Sequence, residues 1–224
     1  ARYCSRLGFS MAPLSVRQVR TTIEEWPWCI DLNSSDVPSS LSTRLRMELD
    51  RLFLFEPWIK ALECLQKWGG LVLLDKKLQE DKATIRRVVF AYRLGLPLMP
   101  ALLAGCSHPI EISERLQIPL SQKSLLKDFI SFSRWLHSDS PPLHSLPSEW
   151  SKNIERQCTN PEAVGLAICM SPSQRRPLLR WFLKWRHLQS LVEAQDLINQ
   201  GWLPGKQLGV ELKRLRFEAI DNCE

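Results

Sequence analysis

Along most of the chain apolar residues recur every three or four positions, the period that places them on one side of an α-helix. Leu41, Leu45, Leu49 and Leu52 form one such stripe, preceded by Ser39, Ser40 and Ser42 as candidate caps, and predict a helix over 41–55. A second helix is expected to begin at Pro57, a favourable first-turn residue, to carry Ile59, Leu62 and Leu65, and to stop at Gly69-Gly70. Ile85, Val88, Val89 and Tyr92 repeat the pattern with Asp81 as the expected N-cap, and Leu125, Phe129, Phe132 and Leu136 repeat it after Ser121. Further helical stretches fit at 14–26, 98–104, 109–117, 148–157, 161–170, 173–187, 188–200 and 205–221. No stretch alternates as a strand ladder would. Leu is abundant while Val, Thr and Tyr are comparatively scarce, so the expected fold is all-α, an irregular multi-helix assembly.

Two stretches interrupt the pattern, Pro27 to Pro38 and Ser138 to Pro147, and the second is the expected internal boundary. There is no fixed-period self-similarity, which disfavours a regular solenoid. The 224 residues are 44% hydrophobic with a net charge of +6, the composition of a folded, moderately basic protein rather than a disordered tail. Apolar runs such as Leu71–Leu74 are far shorter than the ~20 residues of a membrane span, so no membrane partner is expected. The 7 cysteines are odd in number and scattered, without CxxC pairs. They read as thiols in a reducing compartment, cytoplasmic or organellar. The chain opens at Ala1 on a helix-like stretch without signal-peptide organisation and reads as a fragment of something longer.

Catalytic signatures are missing: there is no Asp-x-Asp pair, GxxxxGK[ST], HExxH or GxSxG. His108, His137, His144 and His187 are isolated, and Glu24-Glu25 and Glu111 with Glu114 read as solvated helix faces. What stands out is cationic. Arg176, Arg180 and Lys184 recur every fourth residue on one helical face, flanked by Arg175 and Arg186 and opposite Leu178, Leu179, Phe182 and Leu183. Lys206, Lys213 and Arg216 make a second face beside Leu208, Leu212 and Leu215. Two such faces suit a phosphate backbone, and Trp181, Trp185 and Trp202 beside them suit stacking on unpaired bases. The competing reading of the same residues is a pair of solvated amphipathic faces with the tryptophans in the core.

Three strings resemble the neck, body and tail of class II tRNA nucleotidyltransferases, the CCA-adding enzymes and bacterial poly(A) polymerases. Ala1-Arg2-Tyr3-Cys4-Ser5-Arg6-Leu7-Gly8-Phe9 is similar to the family's A-x-R-F-A-A-R-L-G-F, with Tyr3 in place of Phe. Ser42-Thr43-Arg44-Leu45-Arg46-Met47-Glu48-Leu49 resembles S-x-E-R-I-x-x-E-L, with Thr43 in place of Glu. Gly201-Trp202-Leu203-Pro204-Gly205-Lys206-Gln207-Leu208-Gly209-Val210-Glu211-Leu212 resembles G-x-x-P-G-x-x-L-G-x-x-L. In that last string Pro204 is expected to fix the entry, Gly205 to let the backbone approach a neighbour, and Gly209 to permit close helix packing. Its helix N-terminus, with Lys206 beside it, would suit an RNA phosphate. Trp68-Gly69-Gly70-Leu71 and the Leu96–Gly105 stretch also look like the body of shorter bacterial members.

The resemblance implies a neck over 1–56, a helical body over 57–137 and an RNA-binding tail over 148–224. It implies RNA as partner, gripped at the tRNA acceptor and T arm or at another RNA 3′ end. Arg176, Arg180, Lys184, Lys206, Lys213 and Arg216 are the expected phosphate contacts. Arg2, Arg6 and Arg44 are expected to support the neck by pairing with carboxylates such as Glu48. The catalytic head, with its two Mg2+ ions and its CTP or ATP, would precede Ala1. This chain alone is therefore expected to bind RNA without a cofactor or metal of its own and to catalyse nothing. Two alternatives stand beside it: a helical protein-interaction scaffold, and a helical enzyme with a site such as His137 with Cys158 assembled from distant residues.

Overall fold

The computed structural model describes residues 1–25, 39–55, 57–170 and 172–223. The predicted Pro27–Pro38 loop and Cys29 lie outside them. Among the described residues the regular elements are fourteen α-helices and two 3-10 turns, with no strand, so the fold is all-α. The chain forms two compact units, Ala1–Ile130 and Ser131–Glu224, and the division falls inside a helix rather than in the Ser138–Pro147 loop.

The first unit holds α1 (Arg2–Leu7), α2 (Pro13–Glu24), α3 (Ser39–Phe55), α4 (Trp58–Trp68), a 3-10 turn (Gly70–Leu73), α5 (Lys76–Glu80), α6 (Thr84–Arg93), α7 (Leu98–Leu103), α8 (Pro109–Arg115) and the start of α9 (Leu120–Ser138). Its core joins Leu49 and Leu52 of α3, Ala61 and Leu62 of α4, Val88 and Ala91 of α6, and Leu102 and Leu103 of α7, all buried. Each fully buried leucine contributes about 1.5–3 kcal/mol by leaving water. The predicted stop of α4 is met by Gly69, whose φ of 86° reverses the chain as most side chains would not allow.

The N-cap of α6 is Ala83, with no side-chain cap, rather than the expected Asp81, which plays a different part. Its Oδ1 accepts the Ala83 N–H at 2.8 Å, while its Oδ2 pairs at 2.5 Å with Nη1 of Arg87, whose side chain is only 6% exposed. Burial pushes the Asp81 carboxyl up, but the hydrogen bonds from Arg87 and Ala83 outweigh it, and the group is held below its ordinary value. Gly105 lies against that guanidinium so closely that a Cβ there would sit 2.0 Å from Nη2. One turn away, Asp75 caps α5 through the Leu78 N–H at 2.9 Å and accepts the Ser107 N–H at 2.9 Å with its other oxygen. Asp75 thus ties the loop after α7 to the start of α5. Gln117 closes α8 with φ 52°, and α3 holds it there: Arg46 donates to its carbonyl and Thr43 to its side-chain oxygen.

The second unit contains the rest of α9, then α10 (Pro147–Gln157), α11 (Pro161–Cys169), α12 (Arg175–Leu183), a 3-10 turn (Trp185–His187), α13 (Ala194–Asn199) and α14 (Lys206–Asp221). Helix α11 is its centre, buried at every residue from Ala163 to Cys169 and capped by the Asn160 side chain. Asp221, at the end of α14, accepts the Ser148 N–H at 2.8 Å and so caps α10. The helix expected over 188–200 shrinks to α13, because Glu193 and Asp196 form a reciprocal capping box that sets its start.

Candidate nucleic-acid interface

Helix α12 buries Pro177, Leu178, Trp181 and Phe182 and leaves Arg176 and Arg180 exposed, so the four-residue spacing puts these two cations on the outer face. The helix ends one residue before Lys184. That lysine is exposed, and its Nζ donates to the Cys223 carbonyl. The packing face is rotated from the expected one: Leu183 is 59% exposed, whereas Trp181 and Trp185 are 3% and 2% exposed. The two bulky rings outcompete Leu183 for the interior because each removes more apolar surface from water. Neither can stack on a base. Trp202, 37% exposed, is the one of the three on the surface. Arg186 lies 4.3 Å from the centre of the Phe182 ring.

On α14, Lys206 and Lys213 are exposed and flank the exposed Val210. Arg214 beside them is balanced by Glu211 and Glu218, and its hydrogen bonds hold the Glu211 carboxyl below the ordinary range. Arg216, expected on the same phosphate-facing side, points elsewhere. Its Nη1 and Nη2 donate to the two oxygens of Glu155 at 3.0 and 2.6 Å, and its Nε donates to the Leu188 carbonyl at 2.8 Å. This guanidinium, its side chain 21% exposed, clamps α14 to α10 and to the turn after α12. Among the ion pairs of the described residues none includes Arg176, Lys206 or Lys213.

The glycines of the Gly201–Leu212 string act differently from expectation. Gly205 has φ 151°, a backbone that disfavours any Cβ, yet a Cβ there would meet nothing within 4 Å. Its value is conformational, not close approach. Gly209 is exposed and a Cβ there would also meet nothing, so it does not mediate helix packing. What the string builds is an exposed approach, residues 201–207 with Pro204 among them, into a helix whose first turn has no acidic residue and no side-chain cap. Its leading N–H groups face outward as a partial positive charge.

In the first unit, Arg2 Nη1 pairs with Glu48 Oε2 at 2.7 Å, the kind of pairing expected of it, and lowers the Glu48 carboxyl below its usual range. Arg51 approaches the other Glu48 oxygen at 3.5 Å. Arg44 is exposed, and Arg6 lies 6.0 Å from the Tyr3 ring centre.

His137 and Cys158 are each engaged locally, the imidazole with the Ser133 carbonyl at 2.6 Å and the thiol with the Asn160 carbonyl at 3.2 Å. Among the described residues no three His, Cys, Asp or Glu side chains are grouped to hold a metal ion. No described helix is long and apolar enough to cross a membrane. Among the described cysteines, Cys106, Cys158 and Cys169 are buried. The fold and surface thus define an all-helical protein of two units with exposed cations on α12 and α14. Compared with family models, curated proteins and solved structures, the chain matches none.

Proposed function

We propose that this chain is the RNA-binding neck, body and tail of an RNA 3′-end nucleotidyltransferase. It grips a tRNA acceptor/T arm, or another RNA 3′ end, and presents it to a catalytic head that would hold Mg2+ and CTP or ATP. The observation that carries the reading is the Gly201–Leu212 string. It resembles the tail motif of that family, and it opens onto an uncapped helix start next to Lys206 and Lys213. Arg176 and Arg180 supply the second cationic face, and Trp202 of the tail string is the tryptophan available at the surface. Arg216 leaves the contact set and becomes a scaffold residue. Arg2, Arg6 and Arg44 support the neck, where Arg2 pairs with Glu48.

The test is binding to an acceptor/T-arm minihelix and to a single strand of equal length across a salt series. The reading requires tighter minihelix binding that weakens with salt, with the slope reduced by about 1 for each of Lys206→Ala and Lys213→Ala. The alternative, a protein-interaction scaffold, draws on the exposed Leu54, Phe55 and Tyr92. Equal and feeble binding to both RNAs would favour it.

A further inference from the structure

In the second unit, the segment before α13 and one side of α14 border an open cavity of about 500 Å³ lined by Gln189, Val192, Ala194, Leu212, Lys213 and Arg216. The size falls within the ~300–1,000 Å³ typical of small-ligand sites. Its back wall is fixed, because Arg216 is locked to Glu155 and to the Leu188 carbonyl. Its lip is built by a local turn in which Ser190 Oγ accepts the Val192 N–H at 3.2 Å. That turn carries Leu191, at 90% exposed the most exposed large apolar side chain among the described residues.

We infer that this cavity takes one unstacked nucleotide of the bound RNA. Val192, Ala194 and Leu212 offer apolar surface to the flat face of a base, and the Gln189 amide has both a donor and an acceptor for its edge. Lys213 supplies the cation for the attached phosphate, and it also belongs to the exposed α14 stripe, so the phosphate path leads into the cavity. Glu193, also on the lining, has its carboxylate engaged in capping α13. The inference rests on the RNA-gripping reading and deepens it: paired RNA is held by the cations, and one splayed nucleotide by this cavity.

The experiment uses the full chain with two hairpins, one fully paired and one carrying a single unpaired 2-aminopurine nucleotide. Tighter binding of the second hairpin, with a change in 2-aminopurine fluorescence on binding, is expected. Val192→Ser and Gln189→Ala should each weaken that hairpin about fivefold while leaving the paired hairpin and its salt slope unchanged. Gln189 is exposed, so its replacement leaves the fold intact, which circular dichroism would check. If both hairpins bind equally with a normal salt slope, or if Gln189→Ala changes nothing, the cavity is not a nucleotide subsite although the RNA grip stands. If neither hairpin binds, the grip and the subsite fall together.

Discussion

Replacing Arg216 by alanine separates two roles that look identical in sequence, phosphate contact and internal clamp. The side chain makes two hydrogen bonds to Glu155, at 3.0 and 2.6 Å, and one to the Leu188 carbonyl at 2.8 Å. Breaking a fully buried ion pair costs about 3–5 kcal/mol, whereas exposed pairs contribute about 0–1 kcal/mol. The two side chains are 21% and 26% exposed, nearer the buried limit, and the orphaned Leu188 carbonyl adds to the loss. The expected destabilisation is therefore about 2–3 kcal/mol. At a urea slope of about 2 kcal/mol/M this moves the midpoint down by about 1 M. The buried Trp181 and Trp185 lie in the same unit, and their fluorescence follows its unfolding. Arg216→Lys should recover little, because an ammonium cannot reproduce the two-pronged contact. Glu155→Gln combined with Arg216→Ala should cost less than the sum of the single changes. An unchanged urea midpoint for Arg216→Ala with a clear loss of RNA affinity would refute this assignment and return Arg216 to the RNA surface.

Two further predictions concern the first unit. Gly105→Ala would place a Cβ 2.0 Å from Arg87 Nη2 and displace the guanidinium from Asp81, at a cost of about 3 kcal/mol or more in urea unfolding. Part of that loss should return when Arg87→Met is added, since the buried guanidinium is then gone and the Asp81 left behind is 29% exposed and still accepts the Ala83 N–H. The second prediction is in pH. Because the Asp81 carboxyl is depressed in the folded state, its contribution is fully present above the unfolded value of about 3.9 and is lost as pH falls through the folded value. Wild type should therefore exceed Asp81→Asn in stability at pH 7, and the two should converge in acid. Parallel curves down to pH 2 would show that the pair contributes nothing through its charge.

The helical architecture was legible because amphipathic periodicity reports burial directly. Leu49, Leu52, Leu62 and Val88 sit where their spacing puts them, and Gly69 ends α4 as its sequence suggests. Legibility fails where two apolar registers compete within one helix. On α12, Leu183 and Trp181 are both plausible core residues by spacing, and ring size decides between them. It fails again for α13, where periodicity extends through 188–193 but a capping box and the Arg216 bond to Leu188 break the helix. The Arg87–Gly105 contact had no sequence signal beyond a glycine beside a small-residue run. The tail glycines were visible as a motif, yet their reason was not, since strained backbone and close packing both select glycine and only the surroundings tell them apart.

Which cations are available to a ligand is harder still to read, because the answer lies in residues far along the chain. Arg214 is balanced by neighbours one turn away, which sequence shows, but Arg216 is taken by Glu155, 61 residues distant. This sorting bears on the salt dependence that the proposed RNA binding would show. Each phosphate contact to a duplex contributes about −0.9 to the slope of log affinity against log salt. Arg176, Lys206 and Lys213 need break no ion pair to reach a phosphate, so three contacts in the second unit correspond to a slope of about −3. A slope near that value would mean that the exposed, unpaired cations do the binding alone. A slope about twice as steep would require others, Lys184 leaving the Cys223 carbonyl among them, and RNA binding would then be coupled to rearrangement at the end of α14.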